Sequence, residues 1–230
     1  MNFFPIRWPS YGELLGPVQR AAALLLTIAC ILGPNGALAA DKPVKIVVLG
    51  DSLTAGYGLN VQDAFPSKLE AALKAKGHAV ELINAGVSGD TATGGLERFD
   101  WSVPPDVDAL ILELGANDAL RGVAPDVTRS ALDRILAKVG ERKIPVLIAG
   151  MKSPPNMGAD YVAKFDAIFP ELAKKHNALL YPFFLDGVAA DDKFNQRDGM
   201  HPNADGVDVI VKGILPKVEE LIAQVKAKNG

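Results

Sequence analysis

The chain has 230 residues and a formal net charge of −3, with 49% hydrophobic and 22% charged residues. That length suits one domain with a full hydrophobic core, and the mild acidity argues against nucleic acid as a partner, which calls for a basic patch. The three histidines, His78, His176 and His201, stand far apart with no cysteine or second histidine nearby, so a histidine-rich metal site is not expected.

The first forty residues read as an export signal. Arg7 and Arg20 precede an uncharged apolar run at 21–32, Gly33-Pro34 ends it, and Ala37-Leu38-Ala39 offers a small-x-small cleavage site. This order predicts a secretory signal over residues 1–39, removed from a single domain at 40–230, with a periplasmic or secreted destination. The competing reading is an uncleaved anchor, but the run falls short of the roughly 20 residues that span a bilayer. Lipid attachment at Cys30 needs a larger aliphatic residue where Thr27 stands. Cleavage after Ala39 removes Cys30, the only cysteine, so the domain must hold together without a disulfide.

Beyond the leader, short apolar runs alternate with longer helical periods. Strands are predicted at 45–49, 80–84, 109–114, 145–149 and 179–181, and their continuous apolar character suits a parallel sheet covered on both faces. Helices are predicted at 64–76, 126–142, 161–175 and 205–227. In the second of these Val127, Ala131, Ile135 and Val139 share one stripe. The alternation predicts a three-layer α/β/α sandwich. Sites in such sheets form at the carboxyl ends of strands, near the switch in strand order.

Four segments carry candidate chemistry. After the first strand, Gly50-Asp51-Ser52 offers either a helix cap or a nucleophile. It matches neither a phosphate loop, whose lysine is missing, nor the Gly-x-Ser-x-Gly elbow. After the second strand, Gly86-Val87-Ser88-Gly89-Asp90-Thr91 can turn an amide N–H into a cleft, or can be a tight turn needing positive φ at Gly86 or Gly89. After the third, Gly115-Ala116-Asn117-Asp118 places a side-chain amide at a strand end, where it can donate to an oxyanion or cap a turn.

The fourth segment is Asp198-Gly199-Met200-His201-Pro202. Pro202 keeps His201 out of the helical region. Gly199 lets Asp198 fold back to the imidazole, fixing its tautomer and leaving the other ring nitrogen to accept the Ser52 proton. His78, after Lys76-Gly77, and His176, after Lys174-Lys175, are expected to face solvent.

In this order and with these flanks the four segments resemble the GDSL or SGNH hydrolase superfamily, over nearly all of the domain. The similarity is greatest to the small periplasmic thioesterase I, lysophospholipase L1 and arylesterase branch. Asn84-Ala85, Asp118-Ala119-Leu120-Arg121-Gly122 and Pro182-Phe183-Phe184 match features of that branch. Ala116 stands where glycine is frequent and Met200 where isoleucine or valine is common.

The resemblance implies a flavodoxin-like sheet of five parallel strands, with Ser52 as nucleophile, His201 as base and Asp198 as its orienting partner. The amides of Ser52 and Gly89 with the Asn117 side chain would form the oxyanion hole. The implied activity is hydrolysis of acyl esters and thioesters through an acyl-serine, with no cofactor or metal. The expected substrate is a small-molecule or lipid acyl ester, lodged in an apolar groove lined by Leu120, Pro155, Phe184 and Met200. The mature protein is expected to be a monomer without a stable membrane anchor. Two alternatives stay open: a carbohydrate O-acetyl esterase using the same residues, and a non-catalytic binding domain in which the serine only caps a helix.

Overall fold

The computed structural model describes residues 42–229, and the predicted leader with its cleavage site and Cys30 lies outside them. Five strands form one parallel sheet in the order β2-β1-β3-β4-β5: β1 Val44–Gly50, β2 Val80–Gly86, β3 Ala109–Glu113, β4 Val146–Ala149 and β5 Leu179–Tyr181. All of β3 and β4 and nearly all of β1 are buried, as the uninterrupted apolar runs require of central parallel strands. The outer strands β2 and β5 are only partly covered.

Two groups of helices cover the sheet. In the first, α2 (Phe65–Ala75) packs on α9 (Ala204–Asn229), and α9 also reaches β3, β4 and β5. In the second, α6 (Pro125–Glu141) packs on α3 (Ala92–Glu97), α7 (Ala159–Asp166) and α8 (Ile168–His176). Buried side chains from both groups join the strands in a single apolar core. Three shorter helices, α1 (Ser52–Ala55), α4 (Phe99–Ser102) and α5 (Ala116–Leu120), follow strand ends or join longer elements.

The predicted helix at 161–175 is two helices broken at Ala167. Pro170 has no N–H to donate to the Asp166 carbonyl, which ends the ladder there. Helix α9 runs through Pro216 instead, because Ile210, Ile214, Val218, Leu221 and Val225 anchor it to the core on both sides of the proline. Val127 is exposed rather than on the buried stripe of α6. The stripe begins at Thr128, whose hydroxyl donates to the buried Asp118 carboxylate at 2.9 Å. Among the described residues no helix is long and apolar enough to cross a membrane.

Sheet register sets the site. Gly50 pairs with Gly86 on one side and with Glu113 on the other. The segments that follow β1, β2 and β3 therefore start level with one another at the carboxyl edge, where the strand order switches direction.

Candidate active site

Ser52 is the first residue of α1, and Asp51 caps that helix, its Oδ1 accepting from the Leu53 N–H at 3.0 Å. With the cap supplied by Asp51, the serine hydroxyl is left for another partner. That partner is His201, whose Nε2 lies 3.0 Å from Ser52 Oγ. On the other side of the ring, Nδ1 lies 2.7 Å from Asp198 Oδ2. Asp198 Oδ1 accepts from the N–H groups of Met200 and His201 at 2.9 and 3.0 Å. With Nδ1–H donated to Asp198, Nε2 is the acceptor that faces the serine. The His201 and Met200 N–H groups, with the ring behind them, hold the Asp198 carboxyl down at about 2, so it is charged at any working pH.

Long-range contacts fix the histidine loop against the serine. The Gln196 N–H donates to the His201 carbonyl at 2.7 Å, and its side-chain amide donates to the carbonyls of Pro202 and Tyr57. The Tyr57 ring lies tilted against the imidazole, with centroids 4.6 Å apart.

The three predicted oxyanion donors follow the ends of β1, β2 and β3, which pair side by side in the sheet. Among the described residues the N–H groups of Ser52 and Gly89 have no acceptor. Gly89 sits at φ +86°, a left-handed conformation that only glycine adopts without strain. Gly86 is needed for a different reason, since a Cβ there would lie 2.3 Å from the Ala55 nitrogen. Arg121 braces the turn by donating to the Gly89 carbonyl at 2.9 Å. The Asn117 Nδ2 donates one hydrogen to Asp51 Oδ2 at 3.0 Å, which leaves the second for a ligand.

A cavity of about 560 Å³ opens beside Ser52 and His201. Leu120, Pro155 and Met200 stand on its wall, together with Met151, Phe183 and Leu185. Phe184 does not. It is fully buried and meets Phe65 edge-on at 4.9 Å, because its N–H donates to the Gly150 carbonyl and turns the side chain into the core. The ring facing the cavity is its neighbour Phe183.

His78 and His176 are also not where they were expected. Both are half-buried, with Nε2 2.9 Å from Glu219 and 2.6 Å from Asp133 respectively. A lysine beside each of them draws in the same carboxylate. No group of three or more His, Cys, Asp or Glu side chains among the described residues is arranged to hold a metal ion.

Three buried side chains near the site carry contacts beyond those expected from the sequence. Arg98 is buried and donates to Asp90 and to the carbonyls of Gly50 and Ala85. Glu113 lies wholly buried at the end of β3, and Asp51 is equally buried beside it. A charge closing an otherwise apolar strand was a visible signal for Glu113. For Arg98 nothing local marked it, as its partners come from two strand ends and a turn.

The sequence matches the GDSL-like lipase/acylhydrolase family over residues 48–209. It is 35% identical over 195 residues to an arylesterase of Vibrio mimicus, covering 83% of this chain and 92% of that one. To the thioesterase 1/protease 1/lysophospholipase L1 of Escherichia coli K12 it is 35% identical over 187 residues, covering 81% and 87%. Among solved structures it is similar to AlinE4, an SGNH-hydrolase family esterase, at 45% identity and a TM-score of 0.66, covering 78% of this chain and 96% of that one.

Proposed function

The chain belongs to the GDSL-like lipase/acylhydrolase family and is a serine esterase, and from that premise we propose that Ser52 is its nucleophile, His201 its base and Asp198 the residue that orients the base. The observation that carries this reading is the continuous chain from Ser52 Oγ through the imidazole to Asp198, with contacts of 3.0 and 2.7 Å. Membership in an esterase family argues against a domain in which the serine only caps a helix, and so does the cap itself, which Asp51 supplies.

In the first step Ser52 Oγ bonds to the acyl carbon while its proton passes to His201 Nε2. Asp198 steadies the imidazolium. The carbonyl oxygen becomes an oxyanion, met by the N–H groups of Ser52 and Gly89 and the free amide hydrogen of Asn117. Collapse breaks the bond to the alcohol or thiol, which leaves with the proton from His201. Water then attacks the acyl-serine by the same route and releases the acid.

The relatives' names, an arylesterase and a thioesterase/lysophospholipase, support aryl esters, acyl thioesters and lysophospholipids as substrate classes. An apolar cavity of about 560 Å³ favours an acyl chain over an acetyl group, and so disfavours the carbohydrate O-acetyl esterase reading. Residues 1–39 are proposed to direct export to the periplasm or beyond. The mature protein, 40–230, then works as a monomeric domain without an anchor.

A panel of p-nitrophenyl esters from acetyl to dodecanoyl, with acyl-CoA and lysophosphatidylcholine alongside, tests the substrate assignment. Hexanoyl and longer esters should exceed acetyl in kcat/KM. A preference for acetyl groups would return the O-acetyl esterase reading.

A further inference from the structure

Beneath Ser52 lies an acidic pair to which the acyl-transfer scheme gives no task. Asp51 and Glu113 are both fully buried, at the ends of adjacent central strands. Burying two carboxylic acids together is costly, and such groups persist where they hold something in place. We propose that Asp51 is a positioning residue of the oxyanion hole, its carboxylate holding the Asn117 amide so that nitrogen rather than oxygen faces the developing negative charge. This rests on the catalytic roles proposed above.

Donors and acceptors decide which way the amide faces. Asp51 uses both oxygens: Oδ1 accepts from the Leu53 N–H at 3.0 Å and Oδ2 from Asn117 Nδ2 at 3.0 Å. An ionised carboxylate has only acceptors, so the group it meets on Asn117 must be the NH2. One hydrogen of that NH2 is thereby fixed on Asp51, and the second is aimed away from it. The two donors meet different oxygens of Asp51, and an amide at position 51 puts an acceptor at only one of those two places, so it cannot serve both donors where they stand. It must either give up the cap of α1 or present its own NH2 to residue 117. In the second case the Asn117 amide turns over and sets its oxygen against the oxyanion.

Glu113 supports the arrangement from below. Its Oε2 accepts from the Thr54 hydroxyl at 2.8 Å and from the Asp51 N–H at 3.3 Å, while Oε1 has no partner among the described residues. Burial first, and the Asp51 charge second, push Glu113 well above the usual carboxylate range. Burial also raises Asp51, but the Leu53 N–H and the Asn117 amide oppose it and leave it at about 6. Of the two, Glu113 therefore carries the proton and Asp51 the charge. The other ionisable groups facing Asp51 are Asp118 and His201, and the Arg98 guanidinium lies on the Gly50 carbonyl one residue away.

A double-mutant cycle over Asp51→Asn and Asn117→Ala tests this. Asp51→Asn should lower kcat by about 100-fold with KM within threefold, the size of losing one oxyanion donor. In the Asn117→Ala background the same change should cost less than threefold more. A residue that merely supports the fold would cost the same in both backgrounds, and that outcome overturns the proposal, as does an Asp51→Asn kcat within threefold of wild type. A second measurement needs no variant. In the assigned 15N spectrum of the wild-type protein, one Asn117 Nδ2 proton should be shifted downfield and slow to exchange while the other is not. Two equivalent, fast-exchanging protons contradict the proposal. Because this second readout does not depend on turnover, an inactive wild-type preparation would count against the catalytic reading and leave this one to stand or fall separately.

Discussion

The Arg98 guanidinium donates to the Gly50 carbonyl at 2.8 Å, joining the α3–α4 junction to the strand end from which Ser52 departs. The same group reaches the Ala85 carbonyl at 2.8 Å and Asp90 Oδ2 at 2.5 Å. One buried cation thus binds the strand end before Ser52 to the turn that holds Gly89. Replacing it with methionine leaves Asp90 unpaired and two carbonyls short of a donor. Arg98→Met should destabilise by about 3–5 kcal/mol in urea unfolding. Arg98→Lys should recover little, since an ammonium cannot reproduce three divergent donors. A loss below 1 kcal/mol would show that Arg98 does not bind these segments together.

Gly89 makes a narrower prediction. At φ +86° an alanine is strained by about 1–3 kcal/mol although only the Arg121 tip is nearby. Relief of that strain rotates the N–H away from the cleft. Gly89→Ala should therefore lower kcat by about 10²-fold, with KM little changed. Steady-state kinetics on a short aryl ester decide it.

Phe183 and Phe184 should separate cleanly. Phe184→Ala empties a core position against Phe65 and should cost about 3–5 kcal/mol of stability. Phe183→Ala enlarges the cavity and should shift the acyl-chain optimum while leaving the thermal midpoint nearly unchanged. Equal stability losses in the two variants would place both rings in the core.

Asp198 gives a pH signature. Its folded value, about 2, lies below the ordinary 3.8, so its stabilising contribution is present above the ordinary value and is lost as pH falls through about 2. Asp198→Asn lacks that contribution. The gap in thermal midpoint between wild type and variant should be constant above pH 5 and shrink between pH 4 and pH 2. A gap that stays constant down to pH 2 would mean that the carboxylate gains nothing from its N–H donors.

What could be read from the sequence follows the range of the forces involved. The three central strands were legible because a doubly covered strand needs an unbroken apolar run, as in Ala109-Leu110-Ile111-Leu112, while the partly covered β2 and β5 show only short apolar stretches. Helices α3, α4 and α5 were not, since elements of four to six residues are too short to show a period. Ser52, Gly89, Asn117, Asp198 and His201 were legible because four short segments, three after strands and one before the last helix, stand in an order that resembles a known family, and the resemblance supplied their expected roles. Asp51, Glu113 and Arg98 were not, because each has a decisive partner on a different segment, 48 to 66 positions away in the chain: Gly50 for Arg98, Glu113 for the Asp51 N–H and Asn117 for the Asp51 carboxylate. Phe184 was assigned to the groove because one residue's shift in a turn reverses which ring faces inward. Only the Gly150 hydrogen bond settles that choice.

The proposed acyl transfer depends on one event, passage of the Ser52 proton to an imidazole that arrives from 149 positions along the chain. Intact-mass analysis of the folded protein after exposure to a fluorophosphonate measures it most directly. One adduct should form and map to the peptide holding Ser52. The adduct should vanish in Ser52→Ala and form at least 10³-fold more slowly in His201→Ala. No adduct on the folded wild-type protein, or one on another residue, would contradict the assignment.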